Sequence, residues 1–156
     1  MTIAMETEQL FTEMAQARAR EVVAHIEFLR NLRQLNARGV TQTLLAKRNT
    51  VSQPAIHQML RRAELEAPDV RPGTHGGTAY EIAVRCAAGE IDRETMRREL
   101  IEWVYEKPMA PSAYPDVNDV RPIAEGGFNN QVGRAYDHGF LDAADYDLIL
   151  DALADD

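Results

Sequence analysis

The chain has 156 residues, 45% apolar and 6% aromatic, with a formal net charge of −8 and a single cysteine, Cys86. That length suits one domain or two small ones around a lean core, and a lone cysteine excludes an internal disulfide. With no apolar leader in residues 1–20 and no run of about 18 apolar residues to span a membrane, the expected setting is reducing and cytoplasmic.

The charge is unevenly spread. Residues 1–27 carry a net −3 and residues 64–156 a net −12, whereas Phe28–Ala63 holds seven basic residues and no acidic one. Salt screens charges beyond roughly 8–10 Å, so a polyanion responds to the local block more than to the total. A basic block of this kind inside an acidic chain is a nucleic-acid signal.

Residues 5–37 contain neither Pro nor Gly. Leu10, Met14 and Ala17 recur at helical spacing, as do Val22, Ile26, Leu29, Leu32 and Leu35. This predicts one long amphipathic helix, or two abutting ones, closed by Gly39. Such a helix would overhang a small core, so a second copy of the chain is its expected partner, giving a homodimer. Thr41 is placed to cap a helix over 42–48, and Asn49-Thr50-Val51 to make a turn. Ser52 then caps a helix with Pro54 in its first turn, running to about Glu66 and stopped by Pro68. No useful length of strand-like alternation appears.

Beyond Pro68 the chain repeats itself at an offset of 50. Asp69-Val70-Arg71-Pro72 returns as Asp119-Val120-Arg121-Pro122, and Gly76-Gly77 as Gly126-Gly127. Gly89, Asp92 and Leu100 pair with Gly139, Asp142 and Leu150, making nine identities in the 35 residues from 69. Each copy reads as a Gly-Gly loop, a helix, a tight Gly turn and a second helix capped by Asp92 or Asp142. Lys107 to Val117 holds Pro108, Pro111 and Pro115 and reads as a semi-rigid linker. The expected fold is therefore all-α, with a long N-terminal helix, a helix-turn-helix and two repeated helical hairpins. The expected division is 1–67, 68–106, the linker 107–118, and 119–156.

The stretch from Gln42 to Leu60 resembles the helix-turn-helix of bacterial repressors and antitoxins. Ala46 is small where the second helix crosses the first, Val51 is placed to plug the gap after the turn, and Ile56 with Met59 or Leu60 seats the second helix. Such families usually have Gly where Thr50 stands, because the turn visits positive φ. Asn49 tolerates that conformation best, which predicts a turn shifted by one residue. The resemblance implies double-stranded DNA as partner. Ser52, Gln53, Ala55, His57, Gln58 and Arg61 then face outward or towards the helix N-terminus, within reach of phosphates or base edges. Gln53, His57 and Gln58 would read bases, Gln53 and Gln58 being suited to adenine. Lys47, Arg48, Arg61 and Arg62 would hold phosphates, and Thr41 and Gln42 complete the expected interface at the start of the first helix.

Arg134 to Leu150 resembles the short C-terminal helical module known as SHOCT, which implies oligomerisation or docking of a protein. Together these features suggest a sequence-specific transcription regulator, with an antitoxin whose acidic residues 69–156 bind a toxin as one form of it. A helical adaptor that binds no DNA is the alternative.

Other sites are discounted. His25, His57, His75, His138 and Cys86 lack metal-ligand spacing. The loop Gly73-Thr74-His75-Gly76-Gly77 has neither the preceding strand nor the Gly-Lys-Ser of a phosphate loop. Asp142, Asp145 and Asp147 read as a solvated helix face, and Trp103 and Tyr105 as core. No nucleophile–base pair stands out, so neither an enzyme nor a cofactor is expected.

Overall fold

A computed structural model describes residues 2–107 and 125–155 of the chain, and every regular element among them is helical. Helix α1 runs unbroken over Thr2–Ala37, 36 residues or about 54 Å at 1.5 Å per residue. With no Pro or Gly inside it, nothing in the sequence interrupts the hydrogen-bond ladder. It stops where Gly39 takes φ 96° and the Val40 N–H bonds back to the Leu35 carbonyl at 3.1 Å, a common glycine ending.

Helices α2 (Gln42–Asn49) and α3 (Gln53–Glu66) follow. The hydroxyls of Thr41 and Ser52 each accept the backbone N–H three residues on, from Leu44 and Ala55, both at 3.2 Å. Each cap satisfies one of the orphan donors at a helix start. Leu45, Ala46, Ile56 and Leu60 pack together with Leu32 of α1, and Met59 closes the edge. Farther along α3, Ala63 and Ala67 lie against Ile26 and Leu29. The helix-turn-helix is thus seated on the C-terminal half of α1.

The turn corrects two expectations. Thr50 itself adopts the left-handed conformation (φ 56°, ψ 42°), and Asn49 remains in α2 with its amide donating to the Leu45 carbonyl at 2.8 Å. The turn is therefore not shifted. Two bonds hold Thr50 in place, from its N–H to the Ala46 and Lys47 carbonyls. Val51 is 37% exposed and outside the apolar cluster, to which Leu32 and Val40 contribute instead. A β-branched residue is strained at positive φ. Replacing Thr50 with Gly is expected to stabilise the fold by about 0.5–1 kcal/mol, the relief of strain exceeding the added chain entropy. Thermal unfolding should show a midpoint raised by about 1–4 °C.

The hairpins appear at the expected offset. The first is α4 (Ala79–Ala87) and α5 (Arg93–Glu102); the second is a π-helical turn (Asn129–Gly133) leading into α6 (Arg134–Asp137), then α7 (Ala143–Ala154). Gly89 and Gly139 turn the two hairpins with matching φ of 84° and 81°. Asp92 and Asp142 cap the second helices, accepting from the Thr95 and Asp145 N–H groups. The first helices differ. Thr78 caps α4, whereas its counterpart Phe128 has no oxygen to do so, and the second copy opens on the wider π turn. The repeated Asp119-Val120-Arg121-Pro122 and all of the linker beyond Lys107 lie outside the described residues.

One apolar core joins α1 to both hairpins. Ala19 and Val23 of α1 pack with Ile82, Val84, Met96 and Leu100 of the first copy and with Val132 and Ile149 of the second. Gly77 lies so close to the chain before it that a Cβ there would meet the Pro68 carbonyl oxygen at 2.3 Å, so only glycine fits.

Candidate nucleic-acid interface

Helix α3 turns Ile56, Leu60 and Ala63 inward. At 100° per residue, Gln58 and Arg61 lie opposite, His57 lies on the flank, and Gln53 stands one turn before His57 at the open start of the helix. All four are exposed, as are Thr41, Lys47, Arg48, Ser52 and Arg62, while Gln42 and Ala55 are half-buried. Among the described residues, the side chains of Lys47, Arg48, Gln53, His57, Gln58 and Arg61 bond to no other group of the chain. Their donors are free for an outside partner. Lys47 and Arg48 end α2, only four or five residues before Ser52, so they flank the start of α3. Thr43, exposed one turn before Lys47, shares its side of α2 and was not singled out by the sequence pattern.

The basic block is smaller in space than in sequence. Arg30 is 8% exposed. It pairs with Glu81 and donates to the Pro68 carbonyl at 2.9 Å. Arg33 pairs with Asp69 and donates to the Ala67 carbonyl at 3.0 Å. Both guanidiniums fasten α1 to the segment after α3 and are unavailable to DNA. Arg62 lies towards α1, lining a cavity with Ile26, His25 and Tyr80, and reaches Glu66 at 3.5 Å. That exposed pair is weak. The unpaired cations of the block are therefore Arg38, Lys47, Arg48 and Arg61, and Glu64 marks the acidic end of the α3 surface. The N-termini of α2 and α3 add their unpaired N–H groups and the positive end of the helix dipole.

The remaining candidate groups are spoken for internally. Glu99, 4% exposed, accepts from the His75 backbone N–H at 2.6 Å and meets the His75 Nδ1 at 2.7 Å. The Gly77 N–H donates to Glu81 at 2.9 Å, so the glycine loop turns its donors onto its own carboxylates. Asp145 corrects the solvated-face expectation. It is 3% exposed and is clasped by Arg93 and Arg97 of α5, which join the two hairpins. Trp103 is buried beneath the Arg71 guanidinium, 3.8 Å from the ring centre.

Three titration shifts mark structural pairs. Burial alone would raise the Glu81 carboxyl, but hydrogen bonds from Arg30 and Gly77, the Arg30 charge and Arg85 outweigh it and hold the group below the usual carboxylate range. Bonds from Gln34 and Arg33 lower Asp69 in the same sense. Burial pushes the Tyr105 hydroxyl up, and it donates to the Leu100 carbonyl at 2.5 Å.

Comparison of the chain with models of known protein families, with curated proteins and with solved structures finds no match. Among the described residues, no helix is long and apolar enough to cross a membrane.

Proposed function

We propose that the chain is a sequence-specific DNA-binding regulator that lays α3 in the major groove. The observation that carries this reading is the exposed surface of α3, its start and outer side together. Gln53, His57, Gln58 and Arg61 stand exposed without internal partners, on a helix whose inward side is fully used for packing. Amides at the start of a recognition helix suit adenine, and a guanidinium suits phosphate or guanine. Lys47 and Arg48 are placed to hold the backbone on which α3 is oriented. Arg62, drawn aside towards Glu66, is the weaker of the two adjacent arginines in this role. Two copies would present two such helices to a two-fold operator.

The acidic remainder, net −12 over residues 64–156, suits a basic protein partner. In an operon-borne antitoxin that partner would be a toxin. The non-binding adaptor is the reading left if DNA fails.

Selection from a random-sequence duplex library tests the proposal. A consensus should emerge, and Gln53→Ala should cost about 1–3 kcal/mol on that site and little on unselected DNA. If no sequence is enriched, or if Gln53→Ala acts equally on all DNA, base reading by α3 is wrong.

A further inference from the structure

Helix α1 presents two stripes. Ala19, Val23, Ile26 and Arg30 face the body, and the second stripe lies about half a turn away around the helix. It starts at Ile3 and steps alternately by four and three residues to Leu35, and each of its ten positions is exposed. That alternation is the heptad spacing of a coiled-coil seam. Seven of the ten residues are apolar, the others being Thr7, Glu21 and Asn31. The N-terminal part of the helix stands clear of the body. Residues 3–15 are exposed all round, and the first bonds from α1 to the hairpins are from Gln16 to the Ala88 carbonyl and from Arg18 to the His138 carbonyl. Leu10 is 65% and Met14 62% exposed there. A lone overhang of that length is a marginal helix in water.

The geometry points to a second copy of this chain as the occupant, bound along this seam with the two α1 helices antiparallel. Self-complementarity decides the occupant. When the copies run oppositely about a two-fold axis crossing the seam at the level of residue 19, Ile3 meets the partner's Leu35 and Leu10 meets the partner's Phe28. Thr7 then faces the partner's Asn31, polar against polar, while Met14 meets the small Ala24 of the partner subunit. Glu21 falls opposite the partner's Ala17. The parallel arrangement instead sets Glu21 against its own copy inside the seam, a repulsive pair.

Shape decides the direction independently. The end of α1 from Phe28 to Leu35 is crowded by the helix-turn-helix, which buries the neighbouring Leu32. Antiparallel pairing lays the bare overhang of the partner there, whereas parallel pairing would set the two crowded ends side by side. A consequence rests on the DNA reading, although the seam does not. The helix-turn-helix sits on α1 around Leu29, ten residues from the axis. The two units are then about 30 Å apart along the coil, near the ~34 Å between half-sites one DNA turn apart.

Cysteine cross-linking tests the seam on the full chain carrying Cys86→Ala. Oxidising a mixture of Leu10→Cys and Phe28→Cys proteins should give the mixed covalent dimer, with little dimer from either protein alone. Dimers of each with itself, and none mixed, would establish the parallel seam and overturn the proposal. Failure of both, with a monomeric mass in sedimentation at tens of micromolar, would overturn the seam altogether. Leu10→Asp/Met14→Asp changes only exposed positions, so it should become monomeric while keeping the cooperative thermal transition of the body and losing at most the helicity of the overhang; a persistent dimer contradicts the seam. Cross-linking reads out without DNA. A correct mixed dimer that binds no duplex would sink the regulator reading and leave the seam standing.

Discussion

Glu81→Ala should destabilise the chain by about 3–5 kcal/mol, because it strands a buried guanidinium. Glu81 is fully buried. It accepts from Arg30, from Arg85 at 3.0 Å and from the Gly77 N–H. Removing it leaves Arg30 desolvated and orphans the Gly77 donor at the point where α1, the segment after α3 and α4 meet. Glu81→Gln keeps an acceptor for Gly77 and should cost less. The pH dependence has a defined sign. The folded-state pKa of Glu81 is depressed, so its contribution is present above the ordinary glutamate pKa of about 4.3 and is lost as pH falls through the folded value. Stability of the wild type should therefore drop as pH falls below about 4, and Glu81→Gln should flatten that drop. Denaturant titrations of both proteins from neutral pH downward check this. An unchanged pH profile would remove Glu81 from the account.

Reversing the unpaired cations Lys47, Arg48 and Arg61 should have the largest effect on DNA binding. Lys47→Glu/Arg48→Glu/Arg61→Glu places acidic groups before the start of α3 and two turns along its outer side, and affinity for any duplex should fall about a hundredfold or more at low salt. All three side chains are exposed, so the melting temperature should change little, and a folded but non-binding protein is the expected result. Lys47 and Arg48 also complement the C-terminal dipole of α2, an effect of about 0.3–1 kcal/mol, which the melting curve would reveal as a small loss. The same reversal at Arg93 and Arg97 should do the opposite. It would break the clasp on Asp145 and lower stability by a mechanism unrelated to DNA.

Local chemistry made the helix ends readable. Thr41, Ser52, Asp92 and Asp142 cap the helices expected from them, because capping involves only residues three apart. Ala46, Ile56 and Leu60 were readable as the seat of α3, since helical spacing fixes which side of a short helix can bury. The turn was less so. Asn49 has the better intrinsic preference for positive φ, but it stays helical with its amide on the Leu45 carbonyl, and Thr50 takes the left-handed conformation. The basic block misled as well. Arg30 and Arg33 find Glu81 and Asp69 at separations of 51 and 36 residues, beyond what a local count of charge can see. Asp145 is the acidic counterpart: a run of aspartates reads as solvated until the arginines of the other hairpin are known. Periodicity along α1 mixed the two stripes. Leu29 and Leu32 turned out to be core, while Leu10, Met14 and Leu35 face outward.

Salt dependence of binding tests whether DNA is held on the outer side of α3. The wild type, Arg61→Ala and Arg98→Ala should be compared on one duplex by fluorescence anisotropy from low to moderate salt. Arg98 is equally exposed but lies on α5, away from the candidate interface. Arg61→Ala should reduce the slope of log affinity against log salt by about 0.9, one released counterion, while Arg98→Ala should leave the slope unchanged. A slope that ignores Arg61 and falls with Arg98→Ala would place the nucleic acid on the hairpins and contradict the claim.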